Sequence, residues 1–154
     1  MDKQQTLEHL RAAKASHLEW TQHAKFLIRG MNIEEKAIPV NSMDCNFGKW
    51  FYKEGQKLNG LPNNPAECMS EIEQLHFQLH DVYFNIYNIY YTKQKKGFLS
   101  KIFGDKREVS AQDVKMAEKY FEELEVISKK LIEELNRLER RLLAVPDKKI
   151  EELF

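Results

Sequence analysis

Apolar side chains recur every three or four positions along most of this chain. Leu10, Ala13, His17, Trp20, Ala24, Leu27 and Met31 share one face. That spacing predicts a helix from about residue 3 to 29, with Gly30 as its stop. Pro39 and Asn41-Ser-Met-Asp mark residues 31–44 as a loop, and Asp44 is placed to cap a short helix from Cys45 to about Leu58. The turn-rich Asn59-Gly-Leu-Pro-Asn-Asn-Pro follows. A third helix should begin near Pro65 or Ala66 and present Met69, Ile72, His76, Leu79, Tyr83, Ile86 and Tyr90 on one face.

The last helix is the most regular. Ser110 and Asp113 form a box-like start, and Pro146 an end. Between them Val114, Ala117, Phe121, Leu124, Ser128, Leu131, Leu135, Leu138 and Leu142 alternate spacings of three and four. This is a heptad seam interrupted only at Ser128. No segment alternates as a strand does. The expected fold is all-α: an antiparallel four-helix bundle with one short helix. We expect a single domain over 1–145, with a core at about 10–90, a long fourth helix at about 110–143 and a tail over 146–154. Residues 92–110 read as a basic connection around Phe98, Leu99, Ile102 and Phe103. It serves either as a linker covering the end of the bundle or as a surface for an acidic partner or a membrane.

Composition narrows the function. Lys plus Arg and Asp plus Glu both number 24, so the formal net charge is zero and no overall basic field invites nucleic acid. No run of about 18 apolar residues could cross a membrane, so no stable insertion is expected. The first residues lack the apolar centre of a signal peptide, which points to the cytoplasm. There the two cysteines, Cys45 and Cys68, suit thiol or metal chemistry better than a disulfide.

The candidate chemistry lies in three separate segments. His76 and His80 stand four apart on the third helix, so both imidazoles can reach one point. Alone, the pair reads equally as one core and one exposed histidine. His17, alone, reads as a core histidine bonded to a backbone carbonyl. Cys45 opens its short helix, where the N-terminal partial charge favours a thiolate. Gly48 is out of place in mid-helix unless something packs closely against it. Phe47, Trp50 and Phe51 should wall the site from water. Together, His17, Cys45, His76 and His80 would make a complete tetrahedral zinc shell, leaving no position for a substrate. With no Glu between the helical histidines to act as a base, no enzyme is expected. Cys68 reads as a buried thiol, and His9 and His23 as solvated. The charged positions Glu122, Glu123, Lys129, Lys130, Glu133 and Arg137 read as a solvated face.

Three motifs occur in order: His17-Leu-Glu-Trp20, Cys45-Asn-Phe-Gly48-Lys-Trp50, and His76-x-x-x-His80. They resemble the chemoreceptor zinc-binding (CZB) domain, over about residues 10–90. The resemblance implies zinc held by three His and one Cys in a helical bundle, often a homodimer, attached to chemoreceptors or diguanylate cyclases. The chain shows neither a receptor hairpin nor a cyclase signature and is expected to be the domain alone. Asn46 and Phe47 depart from the basic or aliphatic residue common after the family's Cys. The expected function is zinc or oxidant sensing, with Cys45 as the redox switch and a chemotaxis or cyclic-di-GMP pathway as the output. A structural zinc role is the alternative. The heptad seam adds a second motive for self-association.

Overall fold

The computed structural model describes residues 1–92 and 109–154. Helix α1 spans Lys3–Ile28, α2 Asn46–Lys53, α3 Met69–Tyr87, α4 Ala111–Ala144 and α5 Asp147–Glu151. No strand occurs among the described residues. Of the connection expected at 92–110, residues 93–108 lie outside the described residues.

Capping fixes the helix ends. Asp2 and Gln5 form a capping box on α1. At its other end Gly30 adopts φ 88, and its N–H reaches Leu27 O at 3.1 Å while the Met31 N–H reaches Phe26 O at 3.0 Å. This is a Schellman motif, and it makes Gly30 the stop expected of it. Met31 therefore leaves the apolar face and is 53% exposed, contrary to the sequence reading. Ser110 Oγ accepts the Asp113 N–H, as expected, and α4 ends ahead of Pro146. Lys3 Nζ caps that end by donating to the Leu143 and Val145 carbonyls at 2.9 and 2.7 Å. The segment after Pro146, read only as a tail, includes α5, whose Ile150 is fully buried.

Both long neighbours of α4 run against it. Arg11 pairs with Glu139, Lys14 contacts Asn136, and Thr21 Oγ1 donates to Ser128 Oγ at 3.1 Å, so α1 and α4 run antiparallel. Glu67, just before α3, meets Arg141 and Arg137, so α3 also runs against α4. The α4 seam from Ala117 through Leu124, Ser128, Leu131, Leu135, Leu138 and Leu142 is buried within one chain, between α1 and α3. The seam is thus spent on the fourth helix of the bundle and no longer argues for a dimer. Glu122, Glu123, Lys129, Lys130 and Glu133 are exposed as expected, whereas Arg137 is half-buried in its ion pairs.

The short segment differs most from expectation. The N-cap of α2 is Cys45, not Asp44: its backbone is extended (φ −72, ψ 154) and its sulfur accepts the Gly48 N–H at 3.2 Å. Asp44 belongs instead to the preceding turn, its N–H bonded to Asn41 O at 3.0 Å. The helix stops at Lys53 rather than near Leu58, and Gly55–Gly60 tightens into a 3-10 turn. Gly55 lets that turn lie against the Trp50 ring, where a Cβ would stand 3.3 Å from Cζ3. Helix α3 starts later than expected, at Met69. Asn63 and Asn64 take left-handed backbone (φ 64 and 47), which delays regular helix. The end of α3 widens into a π-helical turn over Asn88–Thr92.

Candidate metal centre

Three elements each deliver part of the site: α1 brings His17, the α2 cap brings Cys45, and α3 brings His76 and His80. Their potential ligand atoms all lie within 4.8 Å of one another. The four residues are only 0–2% exposed. A tetrahedral shell with metal–ligand distances of about 2.0–2.3 Å has edges of roughly 3.3–3.8 Å. Contraction by about 1 Å at the widest pair would close it.

Hydrogen bonding sets which ring nitrogen faces inward. His17 Nδ1–H donates to the Ala13 carbonyl at 2.6 Å, one turn back on α1. His80 Nδ1–H donates to the Pro39 carbonyl at 2.8 Å, across from the loop. A carbonyl can only accept, so each proton is fixed on Nδ1 and each Nε2 keeps its lone pair. Both Nε2 atoms are buried without a hydrogen-bond partner. Such an atom costs about 1–3 kcal/mol when left unsatisfied. Two of them side by side in one cluster form a pair of lone pairs that a single cation would satisfy together. A histidine held through its other nitrogen is also the usual arrangement at metal sites. His76 Nε2 stands 3.2 Å from Cys45 Sγ.

Aromatic rings close the surroundings. Trp20 lies edge-on to His17, with centroids 4.7 Å apart, and Phe47 edge-on to His76, at 4.9 Å. Phe47, Trp50 and Phe51 are buried, as the sequence suggested for a site kept from water. Burial in this apolar setting holds His17 down to about 4 and His76 to about 2, and lowers His80 as well. Burial also raises the Cys45 thiol, opposed by the Gly48 and Phe47 N–H groups. The three imidazoles are already neutral, as metal binding needs. The Cys45 thiol is not lowered as its place at the α2 N-terminus suggested, because burial outweighs the N–H groups, and it must lose its proton as a metal binds.

The same shifts set a pH dependence for the metal-free protein. Unfolded, His17 would titrate near 6.5, but folded it stays neutral to about 4. Between those values the unfolded chain binds the extra proton, so stability falls as pH falls. His17 alone contributes a few kcal/mol over that window. Urea midpoints measured in chelator should drop steadily from about pH 6.5 to 4. A flat profile there would contradict neutral burial of these rings.

The closeness expected at Gly48 is real. A Cβ built there would fall on the Ser42 carbonyl oxygen, with the carbonyl carbon at 3.0 Å and Met43 Cα at 3.3 Å. The carbonyls of Ala13, Pro39 and Ser42 that orient the site carried no sequence signal, since any residue supplies that group. Cys68 is buried away from the cluster, as expected of a plain thiol. His9 is exposed, yet stacks on Trp50 at 5.1 Å. His23 is half-buried rather than solvated, because it sits beside buried Ala24 at the edge of the apolar face, and its Nδ1 is enclosed without a partner.

Residues 17–87 match the family model of the chemoreceptor zinc-binding domain. No curated protein and no solved structure matches the chain. No helix among the described residues is long and apolar enough to cross a membrane.

Proposed function

We propose that this chain, whose residues 17–87 belong to the chemoreceptor zinc-binding family, holds one zinc ion through His17, Cys45, His76 and His80 and acts as a cytoplasmic sensory domain. The observation that carries the ligand set is the pair of buried, unpartnered Nε2 atoms converging with Cys45 Sγ. Zinc bound there would hold Cys45 as thiolate, with the Gly48 and Phe47 N–H groups and the α2 N-terminus supporting the negative charge. Four protein ligands fill the shell, so the reading is regulatory and not catalytic. A homodimer and a chemoreceptor or diguanylate cyclase partner are what the family resemblance adds.

The signal in this reading is a change at Cys45, caused by zinc loss or by an oxidant. Hypochlorous acid and the thiolate give sulfenic acid and chloride, which removes a negative ligand while three histidines remain. Helix α2 is the element free to respond. It is short, it is capped by that same sulfur, and it stands between a loop and a 3-10 turn. Treatment with hypochlorite should therefore modify Cys45 and speed amide exchange over residues 45–58 while α1, α3 and α4 stay protected. Reaction at Cys68 alone, or unchanged exchange after Cys45 reacts, would leave zinc as a structural ion only.

A further inference from the structure

Each of the four residues is buried, so a metal ion must cross a wall to reach them. On two sides that wall is aromatic: Trp20 and Phe47 pack against the cluster histidines, and Trp50 backs Phe47. A different surface occurs where the loop before α2 meets α3. There a hollow of about 230 Å³ lies between Val40–Ser42 on one side and Phe77, Asp81 and Phe84 on the other, with His80 in its lining.

This hollow backs onto the centre at two points. His80 belongs both to the hollow and to the cluster. Ser42 lines the hollow, and its carbonyl oxygen accepts the Cys45 S–H at 3.3 Å. The partition between hollow and centre is thus loop backbone and one imidazole. The loop has no ladder of its own. It is held by isolated bonds: Asn41 Oδ1 accepts the Met43 N–H at 2.8 Å, Asn41 O the Asp44 N–H, Pro39 O the His80 ring N–H and Ile33 O the Tyr91 hydroxyl, with Ile38 buried beneath it.

The rim is unusual for a water-facing helix. Phe77 and Phe84 are 60% and 43% exposed, and exposed Asp81 stands between them, next in sequence to His80. The Asp81 carboxylate makes no ion pair among the described residues. A carboxylate is a competent but less favoured zinc ligand than imidazole and thiolate together. At the mouth of a hollow it would raise the local concentration of a dication and hold it while water is shed. In a port of this shape the flanking rings, Phe77 on one side of Asp81 and Phe84 on the other, would be the groups that restrict passage in both directions.

We propose that this hollow is the port through which zinc enters and leaves, with Asp81 as the steering carboxylate and Phe77 and Phe84 as its constriction. The proposal rests on the zinc reading above and concerns rates rather than the ligand set. Stopped-flow mixing of metal-free protein with zinc, and of zinc-loaded protein with a chelator, measures both directions. Asp81→Asn should slow uptake about threefold at low salt, and the difference should vanish near 1 M salt, where the Debye length is about 3 Å. Phe77→Ala should speed uptake and release alike, about tenfold, with little change in affinity. Val126→Ala, equally exposed on α4, should change neither. A wild-type chain that takes up no zinc would sink the underlying reading. Full zinc uptake with rates unmoved by Asp81→Asn and Phe77→Ala would sink the port alone.

Discussion

Replacing Cys45 and His80 together by alanine should remove stoichiometric zinc from the purified protein while leaving a folded chain. Structural zinc sites of this kind contribute about 10–16 kcal/mol of apparent binding free energy at neutral pH. Loss of two ligands of four, one of them the only anionic one, should forfeit on the order of half. That corresponds to a drop in affinity of roughly 10⁴-fold or more. The fold itself should survive. The long helices α1, α3 and α4 carry the buried core through Leu10, Ile72, Ile86, Leu131, Leu135 and Leu138, all of them retained in the variant. His80→Ala also removes a buried Nε2 that has no partner without metal, which offsets part of the packing loss. Cys45→Ala loses the α2 cap, worth about 1 kcal/mol. Elemental analysis after gel filtration reads the metal, and circular dichroism reads the helix. A full equivalent of zinc in the double variant would end the assignment of these ligands.

The bundle was legible because its periodicity is long and unbroken. The α4 face runs from Ala117 to Leu142 with one polar interruption, and Ser128 fills it by accepting a hydrogen bond from Thr21. The gathering of the site was legible chiefly through the three motifs and the family they resemble. Spacing put His76 and His80 on one helix face, but alone it left His17 a plain core histidine on the buried face of α1. What escaped was set by backbone. That Cys45 caps α2 could not be separated from capping by Asp44, because both residue types accept hydrogen bonds and they are adjacent. The helix shortens at Lys53 because Gly55 packs under Trp50, a contact between residues five apart that helical periodicity does not reveal. The seam on α4 suggested a partner helix, but pattern cannot say whether that partner belongs to the same chain.

Gly48→Ala tests a place where local propensity and packing predict opposite signs. In a solvent-exposed helix this change stabilises by about 0.5–1 kcal/mol, since alanine is the better helix former. At Gly48 the added methyl would fall on the Ser42 carbonyl oxygen, with Met43 Cα only 3.3 Å away. Those are backbone atoms, so no rotamer change relieves the overlap. Either α2 or the loop over Pro39–Asp44 must shift. Overpacking of this kind costs about 1–3 kcal/mol and exceeds the propensity gain. The displaced parts are the ones that orient the centre. The Gly48 N–H donates to the Cys45 sulfur, and Pro39 O fixes the His80 tautomer. We expect the midpoint of thermal unfolding to fall by about 3–10 °C. Zinc affinity should drop by about 10–100-fold, the cost of disturbing groups that orient metal ligands. A differential scanning measurement with and without zinc separates the two effects: if misplacement of Cys45 is the cause, the zinc-induced rise in midpoint shrinks along with the midpoint itself. A Gly48→Ala protein more stable than wild type, binding zinc as tightly, would mean that the close approach of Ser42 to α2 does not hold the site.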